Sequence, residues 1–191
     1  MPRNSIRIAV AATLVLATAL LAPPASAEVY HSRESALRLA FPGADEIVPH
    51  DLTLTALEAD EVASRAGARL ASRLVTVYEG RAQGSTLGWA FLDTHPVRSL
   101  PETLLLVVTP QGRVAATHLL AFHEPEEYKA SPRWFAQFSG HGLDPDLALG
   151  KGVSGIAGST LTARAVTASV RRMLAVWQVK LSGAAPPDTA S

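Results

Sequence analysis

The sequence predicts an α+β domain with a mostly antiparallel sheet from two hairpins and packing helices. Three observations carry this. Runs rich in β-branched and aromatic residues cluster in the middle of the chain, from Leu70 to Phe122. They are joined by short turns rather than by helical crossovers, so neighbouring strands run antiparallel. Helical periodicity is confined to the flanks and is clearest near the C-terminus.

The N-terminus sets an address. Arg3 and Arg7 precede an uncharged run from Ile8 to Ala22, followed by Pro23, Pro24 and the small triplet Ala25-Ser26-Ala27. This is the n-region, h-region and A-x-A pattern of a secretory signal peptide, cleaved near Ala27. The run is shorter than the roughly 20 apolar residues of a spanning helix, the rival reading being a retained anchor. The expected organisation is a signal peptide over 1–27, one domain over 28–181 and a disordered Gly/Ala/Pro tail over 182–191, the product being extracytoplasmic and, on this reading, periplasmic.

Loss of Arg3 and Arg7 turns 17 Lys+Arg against 17 Asp+Glu into 15 against 17, which offers nothing to nucleic acid. The chain has no cysteine, which excludes an iron–sulfur cluster, a c-type haem attachment and a thiol redox pair.

Within the domain, a short helix is predicted from Ser32 to about Ala40, stopped by Pro42-Gly43. A second opens on the capping box Thr55-Ala56-Leu57-Glu58 and ends near Gly67. Leu70 to Glu79 and Ser85 to Leu92 form the first hairpin. Thr103 to Val108 and Arg113 to Phe122 form the second, across a Thr109-Pro110-Gln111-Gly112 turn. Ser131 as N-cap and Pro132 at N1 start a short aromatic helix containing Trp134, Phe135 and Phe138. A glycine-rich loop from Gly140 to Gly158 then leads into the last helix. There Val166, Val170, Met173, Leu174 and Trp177 make one apolar stripe, while Arg164, Arg171 and Arg172 fall on another face.

The junction Ile156-Ala157-Gly158-Ser159-Thr160-Leu161-Thr162 puts small residues and hydroxyls at the positive end of a helix. Unpaired N–H groups there suit a phosphate, although Ser and Thr at such positions often serve only as caps. No metal site is expected: His31, His50, His95 and His141 are scattered and read as surface residues. No G-x-S-x-G elbow, Walker loop, H-E-x-x-H or Rossmann glycine pattern is present, so hydrolase and nucleotide-enzyme readings have no residues behind them.

This junction resembles the flavin-attachment motif of FMN-binding domain proteins, the family of the periplasmic covalent-flavin subunits of the Rnf complex and of the sodium-pumping NADH:quinone reductase. The family pattern is Asp, two variable residues, Ser or Thr, Gly, Ala, then Thr or Ser, with a further hydroxyl two positions on. Gly158 matches its Gly, Thr160 its Thr and Thr162 the later hydroxyl. Ser154, Ala157 and Ser159 stand where Asp, Ser or Thr, and Ala are usual. The resemblance extends over roughly Ala68 to Val179, including a His/Glu/Pro segment after a strand and a Trp-containing turn.

The resemblance implies FMN as cofactor, joined by a phosphoester to Thr160 by a flavin transferase, and electron transfer with a membrane-bound or periplasmic redox partner. Gly158, Ser159 and Thr162 would surround the phosphate end. Trp134, Phe135, Phe138 and Leu161 are candidates for an apolar wall at the flavin ring, Trp134 reading equally as core. His123 and Glu124 are candidates for the ring edge, with a solvated acidic turn as their other reading. The implied protein is a carrier or redox subunit rather than a stand-alone enzyme. The alternatives are a periplasmic binding or interaction domain without flavin, or a small flavin reductase.

Overall fold

The computed structural model describes residues 28–29 and 32–184; the predicted signal segment 1–27 and the tail residues 185–191 lie outside the described residues. In chain order the elements are strand β1 (Glu28–Val29), helix α1 (Arg33–Ala40), β2 (Glu46–Thr53), α2 (Ala56–Ala66), β3 (Leu74–Ala82), β4 (Ser85–Pro96), β5 (Pro101–Val108), β6 (Val114–Phe122), α3 (Pro132–Phe135) and α4 (Thr160–Lys180). Short 3-10 turns follow β6, α3 and α4, the last of them at Ser182–Ala184.

The architecture is α+β. Six strands lie in the order β1-β6-β5-β4-β3-β2, every neighbouring pair antiparallel, so β2 to β6 form a meander and β1 closes the far edge. Both expected hairpins are present as β3–β4 and β5–β6. Sequence reasoning missed β2, and the cause is visible in its residues. Pro49, His50 and Asp51 break any apolar alternation, and a strand carrying proline is tolerated because β2 lies at the sheet edge.

Local signals fix the helices. Ser32 caps α1 through the Ser35 amide, and the Thr55/Glu58 capping box opens α2, which Gly67 ends at φ +70°. The turn between β5 and β6 closes with the Gly112 amide donating to the Thr109 carbonyl at 2.9 Å. Gly112 sits at φ +75°, and a Cβ there would lie 2.3 Å from the Trp177 ring. Only glycine satisfies both the left-handed backbone and that contact.

The sheet is covered on both faces. On one, α1 and Phe41 pack over Tyr78, Ala90, Leu105 and Val107. On the other, α2, α4 and the loop after β6 enclose the larger core, which includes Trp89, Phe91, Leu104 and Leu106. The predicted α4 stripe is buried as expected, but burial extends to Ala163, Ala175 and Val176, because α2 covers the helix on a second side. Arg171 is correspondingly half-buried rather than solvent-facing. Its guanidinium donates to the Ala66 carbonyl at the end of α2 and to the carbonyls of Asp144 and Leu147 in the glycine loop. α4 is thereby fixed in direction, with its N-terminus at the end of the sheet where β4 turns into β5.

Candidate functional site

The start of α4 opens on a cavity of about 280 Å³ lined by Val97, Arg98, Glu124, Tyr128 and the run Gly158 to Thr162. Chain geometry brings the run there. The Ser159 amide donates to the Ile156 carbonyl at 3.0 Å, and Gly158 takes the third position of that turn at φ +76°, where glycine enters without strain. Ser159, the N-cap, makes no side-chain cap bond. Its hydroxyl instead donates to the Glu127 carbonyl at 3.3 Å, and the Thr162 hydroxyl to the Tyr128 carbonyl at 2.7 Å. Two hydroxyls thus tie the helix start to the segment after β6. Thr160, between them, is exposed, and its hydroxyl makes no hydrogen bond among the described residues.

The opposite wall is the Val97–Leu100 loop between β4 and β5. Glu124 holds it: one carboxylate oxygen accepts from the amides of Arg98 (3.1 Å), Ser99 (2.7 Å) and Leu100 (2.8 Å). Those donors, with the nearby Arg98 charge, keep the Glu124 carboxyl below the ordinary carboxylate range. The guanidinium of Arg98 lies 5.5 Å from the centre of the Tyr128 ring, a cation–π distance. Among the described residues it forms no salt bridge with a carboxylate.

Chemically, the cavity combines uncapped amides at the positive end of a 21-residue helix, a cation outside any salt bridge and an unbonded hydroxyl. That donor set fits a phosphate group.

Of the residues singled out from sequence, Gly158, Ser159, Thr160, Leu161, Thr162 and Glu124 meet in this cavity. His123 and Trp134 do not line it. The His123 amide donates to the Pro101 carbonyl, and the Trp134 indole N–H donates to the Ser154 carbonyl at 2.8 Å, which pins the glycine loop. The Trp134 ring meets Phe135 and Phe138 edge-on, and those two are buried core. The apolar part of the cavity comes from Leu161, Val97 and the Tyr128 ring. Val97, Arg98 and Tyr128 were missed from sequence, since nothing in a Val-Arg-Ser loop marks it as facing a helix start. His95, expected at the surface, is buried beneath that loop between Asp93 and Glu102. Among the described residues no group of His, Asp and Glu side chains is arranged to hold a metal ion, and no helix is long and apolar enough to cross a membrane.

No family model matches the chain. Over 148 residues it is 26% identical to one subunit of the Na⁺-translocating ferredoxin:NAD⁺ oxidoreductase complex of Acetobacterium woodii, a similarity that covers 70% of this chain and 71% of that protein.

Proposed function

We propose that this chain is an extracytoplasmic FMN-binding electron-transfer domain, with FMN joined through its phosphate to Thr160 Oγ1. The observation that carries this reading is the Thr160 hydroxyl, exposed and unbonded between two hydroxyls that are both committed to the protein. It stands at an uncapped helix start and shares a cavity with Arg98. The similarity to an oxidoreductase subunit and the resemblance of Gly158, Thr160 and Thr162 to the flavin-attachment motif support the same assignment.

The flavin supplies the redox chemistry when bound; the protein supplies retention, orientation and field. An exported carrier would lose a freely dissociating cofactor, which a covalent bond prevents. In the attachment step a flavin transferase joins Thr160 Oγ1 to phosphorus as the phosphoanhydride of a flavin dinucleotide breaks. The hydroxyl proton and the nucleoside monophosphate leave. Arg98 and the α4 amides then balance the phosphodiester charge. At about 280 Å³ the cavity is smaller than the roughly 300–1,000 Å³ of whole small-molecule sites, so it suits the phosphate end of FMN. The similarity to a subunit of a Na⁺-translocating complex supports a membrane-bound redox partner.

The test is intact mass and in-gel fluorescence after denaturation, on protein from cells that make the transferase. Wild type is expected to retain flavin fluorescence and the added mass, and Thr160→Ala to lose both. Fluorescence persisting in Thr160→Ala moves the attachment to another hydroxyl. Wild type that holds no flavin in any form ends the flavin reading and leaves a binding or interaction domain.

A further inference from the structure

The Val97–Leu100 loop stands on a buried chain of ionisable groups that the proposed flavin chemistry does not use. His95 and Glu102 face each other across β4 and β5, one register pair from the loop. The His95 ring lies 3.0 Å from Asp93 Oδ2 through Nδ1 and 2.8 Å from Glu102 Oε1 through Nε2. Asp93 also accepts from Ser169 Oγ at 2.6 Å and from the Arg172 guanidinium at 2.9 Å, both on α4. Glu102 is fully buried, and its second oxygen has no partner among the described residues.

Proton counting limits the states of this chain. Both ring nitrogens point at carboxylate oxygens, so each line needs one proton. Either an imidazolium sits between two carboxylates, or a neutral imidazole donates to Asp93 and accepts from a protonated Glu102. The two forms contain the same number of protons and differ only in where one sits on the Nε2–Oε1 line. The groups facing it from every packed element then balance: Arg172 and the His95–Glu102 proton against Asp93 and Glu102, with neutral Ser169 completing the set. Arg98 and Glu124 carry the charges of the loop above. Loss of the shared proton leaves one N–H between two carboxylates, so either Asp93 or Glu102, whose second oxygen is already bare, gives up its imidazole donor beside a buried negative charge, which is unfavourable.

We propose that the proton shared by His95 and Glu102 is a latch for the cavity wall: while it is held, the ends of β4 and β5 stay together and Arg98 faces the start of α4, and its release loosens the wall and weakens the grip on the ligand phosphate. The identity of the ligand rests on the flavin reading, but the latch itself does not. Burial works against charge on His95, yet its hydrogen bonds to Asp93 and Glu102 outweigh that and hold its pKa above the ordinary value. Burial pushes Glu102 upward as well, against the pull of His95. The proton therefore leaves as pH rises through the raised His95 value.

The experiment follows the mature apo-protein between about pH 7 and about pH 9.5. This window lies above the second ionisation of a phosphate monoester, near pH 6, and below that of tyrosine, near pH 10. NMR reports the His95 ring and the amides of Arg98, Ser99 and Leu100, while FMN affinity is measured by titration at each pH. The three amides are expected to titrate together with the His95 ring. One pH unit above that midpoint about a tenth of the molecules keep the proton, so FMN affinity falls about tenfold. Glu102→Gln, whose neutral amide can donate to Nε2 with no buried charge to strand, is expected to make both readouts flat. Loop amides that ignore the ring, or a wild-type profile that is flat over this range, overturns the latch. Amides that follow the ring in a protein that binds no free FMN and also carries none from cells with the transferase leave the latch standing and end the flavin reading. Constant FMN affinity with an unmoving loop does the reverse.

Discussion

Glu102 and Glu124 lie at the same open end of one hairpin, one entering β5 and the other just past β6, and both are buried, at 0% and 8% exposure. Their ionisation is pushed in opposite directions. Glu124 receives three backbone N–H groups and is held low. Glu102 receives one imidazole line, leaves an oxygen bare and is pushed high. At Glu102 burial is the larger cause and one imidazole line does not offset it, whereas at Glu124 the backbone donors outweigh burial, and that balance separates an anion that organises a loop from a group that shares a proton. The same loop, Val97–Leu100, is held from outside by Glu124 and from below by Glu102.

The largest expected effect breaks the inner arm of that comparison. His95→Ala removes the proton carrier between Asp93 and Glu102 and leaves the fully buried Glu102 without its one partner, while Asp93 keeps Arg172 and Ser169. Breaking a buried pair of this kind costs about 3–5 kcal/mol. The urea midpoint at neutral pH is the measurement, with an unchanged slope showing that the denatured state is not involved. A loss under about 1 kcal/mol would mean that water reaches the cluster and screens it.

The outer arm is expected to be worth less, because the three amides it satisfies can turn to water in a loop whose residues 98–100 are exposed. Glu124→Ala should cost about 1–3 kcal/mol, and Glu124→Gln less, since an amide oxygen still accepts. Hydrogen exchange at Arg98, Ser99 and Leu100 should quicken in the Ala variant far more than at Leu104 or Leu106. Equal quickening everywhere would show that Glu124 supports the whole sheet and not this loop.

The same contrast marks where the sequence was legible. Capping residues, the Thr109–Gly112 turn and the α4 stripe each act within a few positions, so the two hairpins and the flanking helices could be read directly. The sequence pattern ends β4 at Leu92, yet the strand continues to Pro96. Asp93 and His95 look like solvent-facing residues by pattern, and only the partners supplied by Glu102, Ser169 and Arg172 make their burial tolerable. Those partners lie on other elements, and no local rule connects them. Likewise, the Gly158–Thr162 half of the cavity carried a recognisable order of residues, whereas Arg98 and Tyr128 enter it only through tertiary packing.

The smallest predicted effect sets the same donor-and-acceptor accounting against the hydroxyls of α4. Thr162 is buried and donates to the Tyr128 carbonyl, so Thr162→Ala removes a hydrogen bond and strands that carbonyl, at about 1 kcal/mol. Thr160 is exposed and its hydroxyl is unbonded, so Thr160→Ala should stay within about 0.5 kcal/mol of wild type in the flavin-free protein. Urea unfolding of both variants, made without the transferase, measures the pair on one scale. A Thr160→Ala protein that unfolds as wild type does, yet carries no flavin when the transferase is present, assigns that hydroxyl to the ligand alone. If Thr160→Ala proves the more damaging of the two, the hydroxyl is serving the fold, and its availability for a phosphoester loses its structural basis.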